Sequence, residues 1–334
     1  MMTSEVIKVA VLGMGNMGRV HSNNLCKIDG VEFAAFCSNP IDDARRYVVE
    51  NNLQTPIYED FYKMLEEVEF DALYVCLPPF CHDGQVEAAA AKGINIFVEK
   101  PIALTVERGE SMARSVHVNK VKSQVGYHMR FGSAVKRFAE LIATRKSGTP
   151  TLYSARYECN SLHAPWWIDV NKCGGQVFEQ VIHLYDMALY LMGEAESVSG
   201  YIGNLCHNET PGYTVEDTSS AAIRFKSGAL GNITGSNCAV PGQWNGFFRV
   251  VCGNMVADFK SHNDATFIYT DGDKVSEEKV CVNVDAGFEE DVYFMKVLRG
   301  KAPECASIAE GLIGLKLVQG VVESSKNGGA PVLF

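Results

Sequence analysis

The sequence predicts an α/β chain in two parts: a doubly wound parallel sheet over residues 1–125, then an α+β domain with a mainly antiparallel open sheet over residues 126–334. Three observations predict this. Short β-branched runs alternate with amphipathic helical stretches as far as residue 127, and parallel strands need helical crossovers. A Gly-x-Gly-x-x-Gly loop follows the first run and opens a helix. From residue 197 to about 284 nearly every segment reads as a strand ended by a Gly-containing turn, which implies antiparallel pairing.

Taken in order, residues 6–12 read as a buried strand, and the helix at 19–27 stops before Gly30. Strand 31–37 precedes a helix at 42–51, introduced by Asn39-Pro40. A short strand near Ile57 and a helix at 61–67 follow. Strand 72–77 is halted by Pro78-Pro79, and an Ala-rich helix covers 85–92. Strand 94–99, helix 106–119 and strand 123–127 complete the alternation. The second part opens with a helix at 134–145, a strand at 151–158 and a helix at 176–192. Strands are expected at 198–202, 219–225, 229–234, 247–251, 256–259, 266–269 and 280–284, and helices at 289–299 and 307–326.

A length of 334 residues suits two domains, and 47% hydrophobic content is enough to bury a core. The formal net charge of −10, with no Lys/Arg-rich run, argues against a nucleic-acid or anionic-membrane partner. Eleven cysteines without a C-x-x-C pair fit neither a secreted disulfide framework nor a zinc site, so they are expected to be reduced, small apolar residues. With no signal-like or membrane-length apolar run, the protein is expected to be cytoplasmic.

Three motifs carry chemistry. In Gly13-Met14-Gly15-Asn16-Met17-Gly18, the first glycine makes the tight turn, the second lets backbone approach a pyrophosphate, and the third lets helix pack on strand. This is a dinucleotide-binding signature of a Rossmann domain. The next strand ends in Ser38-Asn39 without the carboxylate that binds an NAD ribose; with Arg45 and Arg46 nearby, that leans the expected cofactor, NAD or NADP, toward NADP. Glu99-Lys100-Pro101 ends a parallel strand, the edge where ligands bind, and a lysine there can hold an alkoxide. Finally, Glu179, His183 and Asp186 fall at i, i+4 and i+7, one face of a helix, where a carboxylate-supported histidine suits general-base work or a structural core. No second His or Cys stands at metal-ligand spacing, and no metal is expected. The segment His163-Ala164-Pro165-Trp166-Trp167-Ile168-Asp169 reads either as a substrate wall, with indole faces for sugar C–H groups and Asp169 for hydroxyls, or as packing. Trp244, on a loop in Gly242-Gln243-Trp244-Asn245-Gly246, is a further candidate for the same cleft.

Together these motifs resemble the Gfo/Idh/MocA family, named for glucose–fructose oxidoreductase, inositol 2-dehydrogenase and relatives, over nearly the whole chain. Residues 7–18 look like its first strand and loop, Val75-Cys76-Leu77-Pro78-Pro79-Phe80-Cys81-His82 like its strand-then-Pro segment, and Glu99-Lys100-Pro101 like its most diagnostic triplet. Gly126-Tyr127-His128-Met129-Arg130-Phe131 resembles the crossover, and Gly174-Gly175 through Asp186 the second-domain helix. The resemblance implies Lys100 and His183 as catalytic residues with Glu179, in the place of the usual Asp, as partner of His183. It implies cofactor contacts from residues 13–18, Ser38, Asn39, Leu77, Pro78, His82, Glu99, Lys100 and His128, the last standing where many members carry Asn. Substrate contacts fall to Trp166, Trp167, Asp169 and His183. The implied activity is NAD(P)-dependent hydride transfer at a sugar, polyol or glycoside CH–OH, in a homodimer or homotetramer. Glycoside cleavage through transient oxidation, and cofactor sensing without catalysis, are the alternatives.

Overall fold

A computed structural model describes residues 6–162, 164–272 and 274–334. The chain forms two compact units. One runs to Tyr127 and takes in Gly287–Leu312; the other comprises His128–Ala286 and Ile313–Phe334. Against the single border expected near residue 125, the chain passes between the units three times, after Tyr127, Ala286 and Leu312.

The first unit holds a six-stranded sheet in the order β3-β2-β1-β4-β5-β6. Its strands are β1 (Ile7–Leu12), β2 (Val31–Cys37), β3 (Ile57–Tyr58), β4 (Ala72–Val75), β5 (Asn95–Val98) and β6 (Ser123–Val125), and every pairing is parallel. The crossovers are α1 (Asn16–Leu25), α2 (Ile41–Glu50), α3 (Phe61–Glu67), α4 (Gln85–Ala91) and α5 (Val106–Asn119). Helices on the sheet faces explain why β1 and β4 are apolar almost throughout: Val9, Ala10, Val11 and all four residues of β4 are fully buried. Two helix starts carry side-chain caps: Asp60 accepts a hydrogen bond from the Lys63 N–H (2.8 Å) and Thr105 from that of Arg108 (3.3 Å), while α2 and α4 place acids in an uncapped first turn. The start of α1 differs, with Gly15 as cap, no side-chain bond and no acid in its first turn.

The second unit builds on a nine-stranded sheet in the order β14-β13-β12-β11-β7-β10-β9-β8-β15. The strands are β7 (Pro150–Cys159), β8 (Ala195–Gly203), β9 (Thr218–Phe225), β10 (Leu230–Ser236), β11 (Trp244–Cys252), β12 (Met255–Ser261), β13 (Asp264–Asp271), β14 (Lys274–Cys281) and β15 (Val332–Leu333). Only the β7–β10 pair is parallel. Strict alternation along β9 and β10 buries one face, and α6 (Ser133–Ala143), α7 (Val170–Cys173) and α8 (Ile182–Met192) belong to this unit. The chain closes with α9 (Ala286–Leu298) and α10 (Ile308–Lys326), the unit border falling after Leu312.

Two expectations need correction. The strand placed at 280–284 is β14, which starts at Lys274; it is an exposed edge strand whose polar side chains leave no apolar signal. The helix expected over 176–192 is not uniform. Val177–Val181 forms one π-helical turn that feeds α8.

Candidate active site

At the carboxyl end of β1 the glycine loop divides into two halves. Gly13 has φ +91°, and a Cβ there would stand 2.5 Å from the Cys76 carbonyl oxygen. A Cβ on Gly18 would meet the Gly13 carbonyl oxygen at 1.9 Å. These two glycines are required by the chain itself. Met14 is buried in the core, and its N–H donates to the Ser38 hydroxyl (3.3 Å). Gly15, Asn16 and Met17 are exposed, and nothing lies within 4 Å of where a Gly15 Cβ would be. Open space thus meets an uncapped, acid-free helix start, which is the donor set a pyrophosphate requires. The site fits a dinucleotide.

Around this loop the other expected cofactor residues take distinct places. Ser38 follows β2, is buried, and ties down the loop, while Asn39 is exposed. Arg45 and Arg46 form exposed pairs with Asp42 (2.9 Å) and Asp43 (3.8 Å) of the same helix. After β4, Leu77 lies against Gly13 and Pro78 leads into a short 3-10 turn, Pro79–Cys81. His82 turns back on the Leu77 carbonyl (3.3 Å); burial lowers its pKa and keeps it neutral. Beyond β5, Lys100 is half-buried.

Glu99 departs from its expected role. It is buried, its Oε1 stands 2.8 Å from Nε2 of His21, and its Oε2 accepts the Lys100 N–H (3.1 Å). The other His21 nitrogen faces Asp291 of α9 (2.9 and 3.0 Å). Nothing in the sequence marked this trio, because its members are local in space and remote along the chain.

In the second unit, His183 is buried on α8 and its ring meets that of His128 edge-on, with centroids 4.7 Å apart. His128, expected at the cofactor, in turn meets His262 (5.6 Å), whose pKa burial lowers. Glu179 is buried in the π turn, so the even i, i+4 step expected between it and His183 does not hold. Tyr157 donates to the neighbouring Gln180 Oε1 (2.7 Å). Asp186 accepts two bonds from the Arg130 guanidinium (2.9 and 2.6 Å), both groups buried, and this pair ties it to the crossover segment.

Glu216, missed from sequence, supports this helix from below. Its Oε1 accepts the Val177 N–H (2.7 Å), and its carboxyl presses on Gly175, where φ is +114°. Burial pushes its pKa up to about 7 against the pull of backbone donors from Val177, Glu216 and Gln176. The adjacent acids Glu216-Asp217 before an alternating strand were the available signal.

The aromatic segment packs within the second unit. Trp167 is 2% exposed and clusters with Cys173, Tyr213 and Val215; half-buried Trp166 packs against that cluster. Asp169 caps α7, accepting the Asn171 N–H (3.0 Å). Trp244 is 51% exposed at the start of β11. His163 lies outside the described residues.

Residues 7–127 match a family model described as an oxidoreductase family with NAD-binding Rossmann fold, and residues 135–255 one described as the GFO/IDH/MocA C-terminal domain. Myo-inositol 2-dehydrogenase of Thermotoga maritima is 30% identical over 237 residues, covering 71% of this chain and 70% of that protein. Scyllo-inositol 2-dehydrogenase (NAD(+)) of Bacillus subtilis is 31% identical over 233 residues, 69% of this chain and 67% of that one. A levoglucosan dehydrogenase solved with NADH and levoglucosan shares the fold at TM-score 0.89 and 18% identity, over 98% of this chain and 99% of the other. No described helix is long and apolar enough to cross a membrane. The chain belongs to the GFO/IDH/MocA family of NAD-binding oxidoreductases.

Proposed function

We propose that this protein is a dehydrogenase or reductase that moves hydride between a nicotinamide dinucleotide and a secondary alcohol carbon of a polyol, sugar or glycoside. The observation that carries the reading is the open, uncapped start of α1 at Gly15, on the same strand-end edge of the sheet as Lys100. Bound there, the dinucleotide supplies a hydride acceptor or donor. His183 takes or returns the substrate hydroxyl proton, and Glu179 orients its imidazole. Lys100 stabilises negative charge developing on that oxygen. Cyclitols are the first substrates to try, because the inositol dehydrogenases are the relatives at 30 and 31% identity.

Ser38 places no carboxylate against a 2′-phosphate, so NADP is admitted beside NAD. Arg45 and Arg46 favour NADP, though Asp42 and Asp43 draw on their charge. The exposed face of the second sheet holds a groove of about 560 Å³, lined among others by Arg156, Phe247, Arg249 and Lys260. Its half-buried Phe247, under the Arg156 guanidinium at 4.6 Å, supports this face as the contact of a homodimer or homotetramer.

The test is a panel of cyclitols, aldoses and glycosides with each dinucleotide, followed by nicotinamide absorbance and product analysis. Net reduction of the dinucleotide with a polyol is expected. Aglycone release without net reduction would replace dehydrogenation by transient-redox cleavage. Tight dinucleotide binding without turnover on any member would point to a sensor.

A further inference from the structure

We propose that His21 and Asp291 are positioning residues for Lys100: a buried imidazolium clamped between Asp291 and Glu99 fixes the carboxylate that holds the Lys100 backbone. This rests on the reading of Lys100 as the alkoxide-stabilising cation.

The geometry is continuous. His21 lies one turn beyond Gly18 on α1, and its ring is fully buried against Phe97 (centroids 4.7 Å apart) and Tyr74 (5.6 Å). Nδ1 faces both oxygens of Asp291, and Nε2 faces Glu99 Oε1. An ionised carboxylate only accepts, so both ring nitrogens donate and the ring is an imidazolium. Burial alone would lower its pKa, but the Asp291 and then Glu99 carboxylates hold it well above the usual histidine value. Asp291 is fixed from a second side by Asn24 of α1 (2.9 Å).

The far oxygen of Glu99 ends the chain of bonds on the Lys100 N–H. The Glu99 carboxyl packs against Gly126, where a Cβ would stand 2.8 Å from its Oε1, so this position admits no side chain. One charge cluster therefore joins the helix that follows the glycine loop, the strand end that carries Lys100, and α9. Glu290 stands close enough for its carboxylate, His21 and Glu99 to offer ligand atoms within 4.8 Å of one another. The hydrogen bonds that His21 and Glu99 make to Asp291 and to the Lys100 N–H make this cluster a clamp.

Removing the clamp frees Glu99 to pull away from the Lys100 N–H, and an ammonium displaced by about 1 Å loses catalytic power while the dinucleotide site stays whole. The experiment compares Asp291→Asn and His21→Gln in the native background and in Lys100→Met. In the native background kcat is expected to fall roughly ten- to a hundredfold, with dinucleotide Kd and substrate KM within about twofold. In Lys100→Met the same substitutions are expected to cost no further turnover in single-turnover assays. Amide exchange in the peptide spanning residues 98–102 is expected to quicken in Asp291→Asn and to recover partly in Asp291→Glu; it decides the question where Lys100→Met leaves no measurable turnover. Equal fold losses in both backgrounds, or unchanged exchange and kcat in a variant that still binds dinucleotide, would overturn the proposal. Native turnover in Lys100→Met alone would instead sink the role of Lys100. If His21→Gln does not fold, Asp291→Asn carries the test, since its amide oxygen still accepts from the His21 ring.

Discussion

The two units treat a buried histidine in opposite ways. In the first, His21 has carboxylates on both sides, which fixes its charge and its orientation. In the second, the ring of His183 meets another imidazole edge-on, while Asp186 binds Arg130 and Glu216 binds the backbone at the head of the π turn. A histidine locked as a cation between two carboxylates cannot cycle a proton at neutral pH. On the proposed reading His21 positions and His183 carries the proton, although each is a buried histidine on a helix.

The largest expected effect separates those roles. His183→Ala and Lys100→Met should each lower kcat by roughly a hundred- to ten-thousandfold while dinucleotide titration stays near native. Near-native turnover in either variant would erase the contrast. Next comes Arg130→Met, which strands the Asp186 carboxylate in the interior. Urea unfolding should show a loss of about 3–5 kcal/mol.

Glu216→Gln sharpens the contrast through pH. Folding raises the Glu216 pKa from 4.5 to about 7, so between those values the folded state holds one proton more than the unfolded chain, and stability falls as pH rises. Above about pH 7 the charged form is fully penalised; below pH 4.5 the penalty is absent. In Glu216→Gln the slope of unfolding free energy across this window should flatten by about one proton. The smallest effect is Asp169→Ala, which should cost about 1 kcal/mol as a lost cap and leave substrate KM unchanged. A large rise in KM without a change in stability would return Asp169 to the substrate.

What could be read from the sequence follows the range of the interactions. Parallel strands buried on two faces give continuous apolar runs, so β1, β4 and β5 stood out, and the glycine loop was legible because its three glycines fall within six residues directly after a strand. β14 gave a late and short signal because neither of its faces is buried. The π turn has no sequence mark, and it altered the angular step on which the alignment of Glu179 with His183 relied. His21 and Asp291 lie 270 positions apart, and Arg130 and Asp186 are 56 apart; a single sequence offers no pattern linking such partners. The sequence left Trp167 open between substrate wall and packing, because composition does not tell a wall from a core, and its burial beside Cys173, Tyr213 and Val215 shows the packing.

The central claim is that hydride passes directly between a carbinol carbon and the dinucleotide. Incubating the protein with oxidised dinucleotide and a cyclitol deuterated at its ring carbons tests it most directly, with the product nicotinamide read by mass spectrometry. The account predicts one deuterium per reduced nicotinamide and a slower rate than with the protiated cyclitol. Reduced nicotinamide without the label, or labelled substrate unchanged beside a bound dinucleotide, would contradict it.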